Sequence, residues 1–160
     1  MRRISSITIA VTMLCAGCGG VWEPDSISAL GKQFQSEFGI QPPSDVGEMK
    51  CRIVNVGDSS SRWFSFKCSK ATFDRLVNQG FDVVERKILD APWTGSKGPI
   101  DLIEPYERNV NSPTWWPEVR NVQFEQFYYK SNKRKGENGY LFLLLDKTNN
   151  KVYAHSSVWR

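Results

Sequence analysis

The 160-residue sequence predicts an α+β domain: one antiparallel sheet of about five strands, with two helices packed on one face. Segments with a helical hydrophobic period alternate with segments rich in β-branched and aromatic residues. They follow the order helix, two strands, helix, long loop, three strands. The length suits one hydrophobic core, and 40% hydrophobic with 24% charged residues is typical of a globular domain. We therefore expect a single domain over residues 25–160.

Each predicted helix has a start signal, a stop signal and one apolar face. The first begins at a capping Asp25 and runs through Phe38 to Gly39, and the second covers residues 70–79 between Ser69 and Gly80. A single apolar face indicates a helix that covers a sheet. The apolar residues are Ile27, Leu30, Phe34 and Phe38 in the first helix and Phe73, Leu76 and Val77 in the second.

The strands fall into an early pair and a late group of three. They are predicted at residues 49–56, 62–68, 122–129, 140–146 and 151–158. The first two flank a turn-rich stretch and form a hairpin, and the last three form an antiparallel meander. Residues 81–116 are interrupted by proline and glycine, so we assign them mostly as loop.

Cys51 and Cys68 lie on the two strands of the predicted hairpin. Folding the hairpin about Ser59 and Ser60 places the two cysteines opposite each other, which predicts a structural disulfide if the compartment is oxidising. The alternative is a pair of reduced, buried thiols that act as small hydrophobic side chains. Neither cysteine belongs to a Cys-x-x-Cys pair suited to redox exchange.

The first residues have the order of an export signal. Arg2 and Arg3 precede an apolar run, and small residues follow in Cys15-Ala16-Gly17-Cys18. Ala16-Gly17-Cys18 resembles the lipobox of bacterial lipoproteins, although Cys15 stands where an aliphatic residue is usual. The resemblance implies removal of residues 1–17, a lipid anchor on Cys18, and residues 18–24 as a lipidated tether. The alternative is an ordinary cleaved signal peptide and a secreted or periplasmic soluble protein.

Two short motifs extend this resemblance into the mature chain. Pro42-Pro43-Ser44 precedes the first hairpin, and Trp115-Trp116-Pro117 precedes the last strands, as in small bacterial lipoproteins of unknown role. The resemblance implies a location and no activity. Gly19 after the lipobox cysteine favours the outer membrane where the cell has one.

The charge balance gives no sign of a nucleic-acid partner. The formal net charge is +4, and removal of Arg2 and Arg3 leaves 19 basic side chains (21 − 2) against 17 acidic ones. A basic tip is predicted between two of the late strands, at Lys130, Lys133, Arg134 and Lys135. It is either a solvated turn or a contact with anionic headgroups.

The sequence contains no Gly-x-Ser-x-Gly elbow, no Gly-rich phosphate loop and no Ser-x-x-Lys acylation motif. Its one histidine, His155, is predicted as an edge or surface residue of the last strand, and no metal or cofactor is expected. Asp101, Glu104 and Glu107 could act as paired carboxylates, which keeps an envelope hydrolase as the alternative function. Residues 146–150 faintly resemble a calcium loop, but a hairpin turn explains them better.

The tryptophans are the main candidates for a binding surface. Trp93, Trp115 and Trp116 lie in or beside the long loop, where a ring could contact a sugar or a protein. Alternatively, the loop folds back and its rings cover the open face of the sheet. Trp63 is expected on the face opposite Phe64 and Phe66, so something must cover it.

Taken together, these features predict a cell-envelope lipoprotein of unknown specific role, a non-catalytic binding or structural module. Its expected partners are the membrane, through the anchor at Cys18, and an envelope protein or glycan.

Overall fold

The computed structural model describes residues 19–85, 111–117, 126–131 and 138–159. Within them, one antiparallel sheet of seven strands has the order β1-β2-β3-β7-β6-β5-β4. The strands are β1 Gly20–Trp22, β2 Gly47–Val56, β3 Ser59–Lys67, β4 Asp82–Glu85, β5 Gln126–Ser131, β6 Asn138–Asp146 and β7 Lys151–Trp159. The helices are α1 Ile27–Phe38 and α2 Lys70–Val77.

The predicted fold class, an antiparallel sheet with two helices, is confirmed, but the strand count of five is wrong. The two additional strands are short edge strands: β1 has 3 residues and β4 has 4. Short strands carry little hydrophobic periodicity, so the sequence predicts tether in place of β1 and loop in place of β4. Residues 20–22 of the expected tether are therefore part of the sheet.

Local capping signals fix the helices. Ser26, one residue after the predicted cap Asp25, accepts a hydrogen bond from the backbone N–H of Ala29 at 3.2 Å. Gly39 ends α1 at φ +70°, a conformation that favours glycine. Ser69 caps α2 as predicted and accepts from the N–H of Thr72 at 3.2 Å.

Both helices cover the same face of the sheet. Phe34 and Phe38 pack edge-on against Phe66, with ring centroids 5.2 and 5.6 Å apart. The layer between helices and sheet is built from Leu30, Phe34, Phe38, Cys51, Ile53, Phe64, Phe66, Cys68, Phe73, Leu76, Leu141, Leu143, Val152 and Ala154. Ile27, predicted to share the α1 apolar face, is instead 83% exposed.

The register of the β2–β3 hairpin corrects the predicted cysteine pairing. Cys51 lies opposite Phe64 rather than Cys68. A displacement of four residues amounts to about 13 Å along a strand, well beyond the roughly 7 Å that a disulfide can bridge between Cα atoms. Both cysteines are accordingly free and buried. Burial raises the pKa of Cys51 to about 12 and that of Cys68 to about 11.

We expect both thiols to be unreactive in the folded protein and reactive after unfolding. Alkylation of the full-length protein without reductant, in buffer and then in denaturant, should label Cys51 and Cys68 only in the second sample. Peptide mass spectrometry distinguishes these two from the leader cysteines. A Cys51–Cys68 crosslinked peptide in the unreduced sample would contradict the structure.

The last two strands form the predicted hairpin through a polar turn. Asp146 accepts hydrogen bonds from the backbone N–H of Thr148 at 3.0 Å and from Asn149 Nδ2 at 2.7 Å. The Asp146 carboxylate therefore accepts hydrogen bonds from residues of its own turn, as in an Asx turn. None of the helices in the described ranges is long and apolar enough to cross a bilayer.

Candidate functional site

An aromatic cluster covers the face of the sheet that the helices leave open. We define it as Trp63, Trp116, Tyr140, Phe142, Tyr153 and His155. Strand alternation directs Trp63 away from Phe64 and Phe66, as predicted, and the same alternation separates Tyr153 from Val152. The sheet therefore has two cores, one under the helices and one under aromatic rings.

Trp116 reaches the cluster from the segment 111–117 and closes over it. A backbone hydrogen bond of 2.9 Å from Trp116 N–H to Pro113 C=O turns the chain at a buried proline. The indole is 2% exposed, with its centroid 5.8 Å from Tyr153 and 6.2 Å from His155. The prediction of Trp116 as a binding surface is thereby corrected, because the ring fills the open face instead.

Trp115 occupies a different environment from its neighbour. It is only partly buried and meets the Trp116 ring edge-on at 6.4 Å. Of the two adjacent indoles, Trp115 alone keeps surface for an external contact.

His155 lies at the centre of the sheet, which corrects the prediction of an edge or surface residue. Its strand β7 is the middle strand, and its register partners are Trp63 on β3 and Phe142 on β6. The imidazole stacks on Trp63 at 4.6 Å and 23°. Burial lowers its pKa to about 3, so the ring is neutral at physiological pH.

The cluster also contains buried polar atoms. His155 Nδ1 lies 3.5 Å from the hydroxyl of Tyr140, which is a weak hydrogen bond at best. The atoms without a hydrogen-bond partner among the described residues include Trp63 Nε1, Ser65 Oγ, Trp116 Nε1 and His155 Nε2. Burying such atoms unpaired costs about 1–3 kcal/mol each. Among the described residues, apolar burial and ring stacking are the contacts that stabilise this face.

The other sequence candidates fall partly outside the described residues. These are Cys18, Trp93, Asp101, Glu104, Glu107, Lys133, Arg134 and Lys135. Lys130 is described, and it donates to the Gln79 carbonyl at 2.7 Å while lying 5.7 Å from the centre of the Phe81 ring. The Lys130 ammonium group therefore makes contacts within the domain. Over the described ranges, no group of three or more His, Cys, Asp or Glu side chains could hold a metal ion.

Six large apolar side chains are exposed among the described residues, and one of them, Trp159, meets the Tyr140 ring of the aromatic cluster edge-on at 6.0 Å. They are Val21, Trp22, Ile27, Val56, Val83 and Trp159. Ile27 was predicted to face the sheet, and sequence reasoning did not predict the exposure of the others, because Val56 and Trp159 belong to strands whose inner residues are buried. Ile27 is the first residue of α1, and the other five are exposed because they lie near strand ends or on edge strands.

Comparison of the chain with protein-family models, with curated proteins and with solved structures finds no match.

Proposed function

We propose that this chain is a lipid-anchored protein of the cell envelope, and that its α+β domain is a non-catalytic binding or structural module. The proposed location is supported by the first 18 residues. They have the order that lipoprotein export requires, with Arg2 and Arg3 first, then an apolar run, then Ala16-Gly17-Cys18. The outer membrane is the favoured location where the cell has one.

The environment of His155 is the observation that carries the non-catalytic part. A general acid or base needs a pKa near the working pH and direct access to a substrate. The buried imidazole, with its pKa near 3, stacks on Trp63 and lies beneath Trp116. The only histidine of the chain thus serves packing.

The thiols support the same conclusion. A nucleophilic cysteine needs a lowered pKa and an accessible sulfur. Cys51 and Cys68 have raised pKa values and lie in the layer beneath the helices. These are the properties of packing residues.

Of the predicted binding residues that the structure describes, Trp115 is the one with surface left for contact with a protein or glycan. Partly exposed, it follows the exposed Thr114 on a segment that the buried Pro113 and Trp116 hold against the sheet. A ring on a fixed segment loses little conformational freedom when it binds. Trp93, the third predicted binding residue, lies outside the described residues.

The test is in-cell crosslinking of the tagged, full-length protein, followed by membrane fractionation and mass spectrometry. We expect an acylated N-terminal Cys18 peptide in the membrane fraction, and loss of both acylation and membrane retention in a Cys18→Ser variant. We also expect a crosslinked envelope protein or glycan whose recovery falls in Trp115→Ala.

Each part of the proposal has its own contradicting result. An unmodified Cys18 in a soluble protein would overturn the anchor. Equal partner recovery from wild type and Trp115→Ala would overturn the contact residue. Turnover of an envelope substrate by the purified protein would overturn the non-catalytic assignment.

A further inference from the structure

Three exposed apolar side chains lie near one end of the helix-free face. Val21 is 58% exposed, Val56 60% and Trp159 40%. We call these three residues the anchor-end patch. Apolar side chains grouped at one end of a sheet need an explanation more than scattered ones do.

The strand register brings the patch together. Ser59 pairs with Val56 on one side and with Trp159 on the other, so these residues lie side by side across three strands. At about 4.8 Å per strand, the Cα atoms of Val56 and Trp159 are about 10 Å apart. Val21 pairs with Val54, the residue before Val56 on the same face. Alternation gives all three the same face as Trp63 and His155.

The position of Gly19, the first residue that the structure describes, identifies what lies nearest to this patch. Gly19 is so close to β2 that a Cβ atom there would lie 2.3 Å from the Asn55 carbonyl oxygen and 3.3 Å from Val56 Cα. Cys18 is bonded directly to Gly19, at a Cα separation of about 3.8 Å. The pairing of β1 with β2 fixes residues 20–22 as well. An acyl chain on Cys18 would therefore be attached directly beside the patch, with no long flexible tether between them.

We propose that the anchor-end patch rests in the interfacial layer of the membrane that holds the Cys18 lipid, so that the sheet stands on the bilayer by this end. The inference rests on the proposed function, because it requires acylation of Cys18. A tryptophan with one apolar body and one polar N–H suits the interface between headgroups and acyl chains. Val21 and Val56 add apolar area beside it, and the covalent anchor makes the contact intramolecular, so that modest area suffices.

The probe is the acylated full-length protein in vesicles of phosphatidylethanolamine and phosphatidylglycerol, with or without bromine on the acyl chains. Bromine quenches indole fluorescence only at short range. We expect brominated lipid to quench the wild type, and Trp159→Phe to lose most of that quenching. Trp22 supplies a matched control: it is 48% exposed but pairs with Ile53 and so lies on the helix face. Trp22→Phe should retain the quenching.

Flotation of the vesicles and mass spectrometry of Cys18 separate the two levels of failure. Suppose that Cys18 is acylated and the protein floats, but brominated lipid quenches the fluorescence of Trp159→Phe as strongly as that of the wild type. The docking inference is then overturned and the lipid anchor is retained. The docking inference is likewise overturned if both variants lose quenching equally, or if crosslinking shows that Trp159 contacts a second copy of the chain. An unacylated Cys18 overturns the proposed function, and the docking inference with it.

Discussion

Replacing Trp116 with alanine should lower the free energy of unfolding by about 3–5 kcal/mol, as large-to-small substitutions of buried aromatic residues do. The indole is 2% exposed and contacts Tyr153, His155 and Phe142, so its loss opens a cavity over the middle of the sheet. Because Trp63 and His155 lie beneath it, water would also reach their stacked rings. Urea denaturation followed by far-ultraviolet circular dichroism measures the change.

The neighbouring residue provides the control for Trp116. Trp115→Ala removes a side chain of the same size from the same segment, but one that is only partly buried. We expect a loss of about 1 kcal/mol, within the usual range for point substitutions. If Trp115→Ala destabilised the protein as much as Trp116→Ala, the segment 111–117 would have to lie on the sheet in another orientation.

Local signals explain what the sequence predicted well. The stop of α1 at Gly39 and the cap of α2 at Ser69 depend on a few neighbouring residues, and both are confirmed. The prediction of the sheet face on which Trp63 lies was also correct, because the alternation of side chains along β3 does not depend on the partner strand. Signals of this kind are complete within a short window.

The hairpin register shows how a local signal can mislead. Five turn-forming residues separate the apolar parts of β2 and β3, and any adjacent pair of them could form the loop. The chain turns at Gly57 and Asp58, with φ +54° at the glycine, as a two-residue hairpin loop favours. The predicted register differs from the observed one by four residues. Because four is an even number, each side chain was assigned to the correct face of the sheet, although the cysteine pairing was wrong.

The candidate site could not be derived from local pattern. His155 is buried because β7 inserts between β3 and β6, and because Trp116 arrives from a third part of the chain. The β3–β7 pairing joins residues that are far apart in sequence, and no periodicity within β7 reports it. A histidine flanked by Ala154 and Ser156 has the pattern of a half-exposed strand, whereas the fold covers both faces.

As the pH is lowered, we expect the protein to lose stability through His155 at pH values above those at which its Asp and Glu side chains titrate. The folded-state pKa is lowered from 6.5 to about 3 by burial, so between these values the unfolded chain binds a proton that the folded protein does not. The contribution of His155 to the free energy of unfolding is therefore greatest above pH 6.5. It should fall as the pH is lowered, by roughly 1 kcal/mol per pH unit, until the folded state also takes up the proton near pH 3.

The single histidine makes this effect separable from all others. Ordinary carboxyl groups titrate near pH 4, so urea denaturation at several pH values from about 5 to 7 isolates the imidazole. His155→Phe keeps a ring against Trp63 and removes the titrating group, so the slope of stability against pH should disappear over this range. The slope is the readout, because a change of ring size also shifts absolute stability. A wild type with no slope, or an imidazole NMR resonance that titrates near its ordinary pKa of 6.5 in the folded protein, would mean that solvent reaches His155. The aromatic cluster would then be an open site, and the non-catalytic assignment would lose its main support.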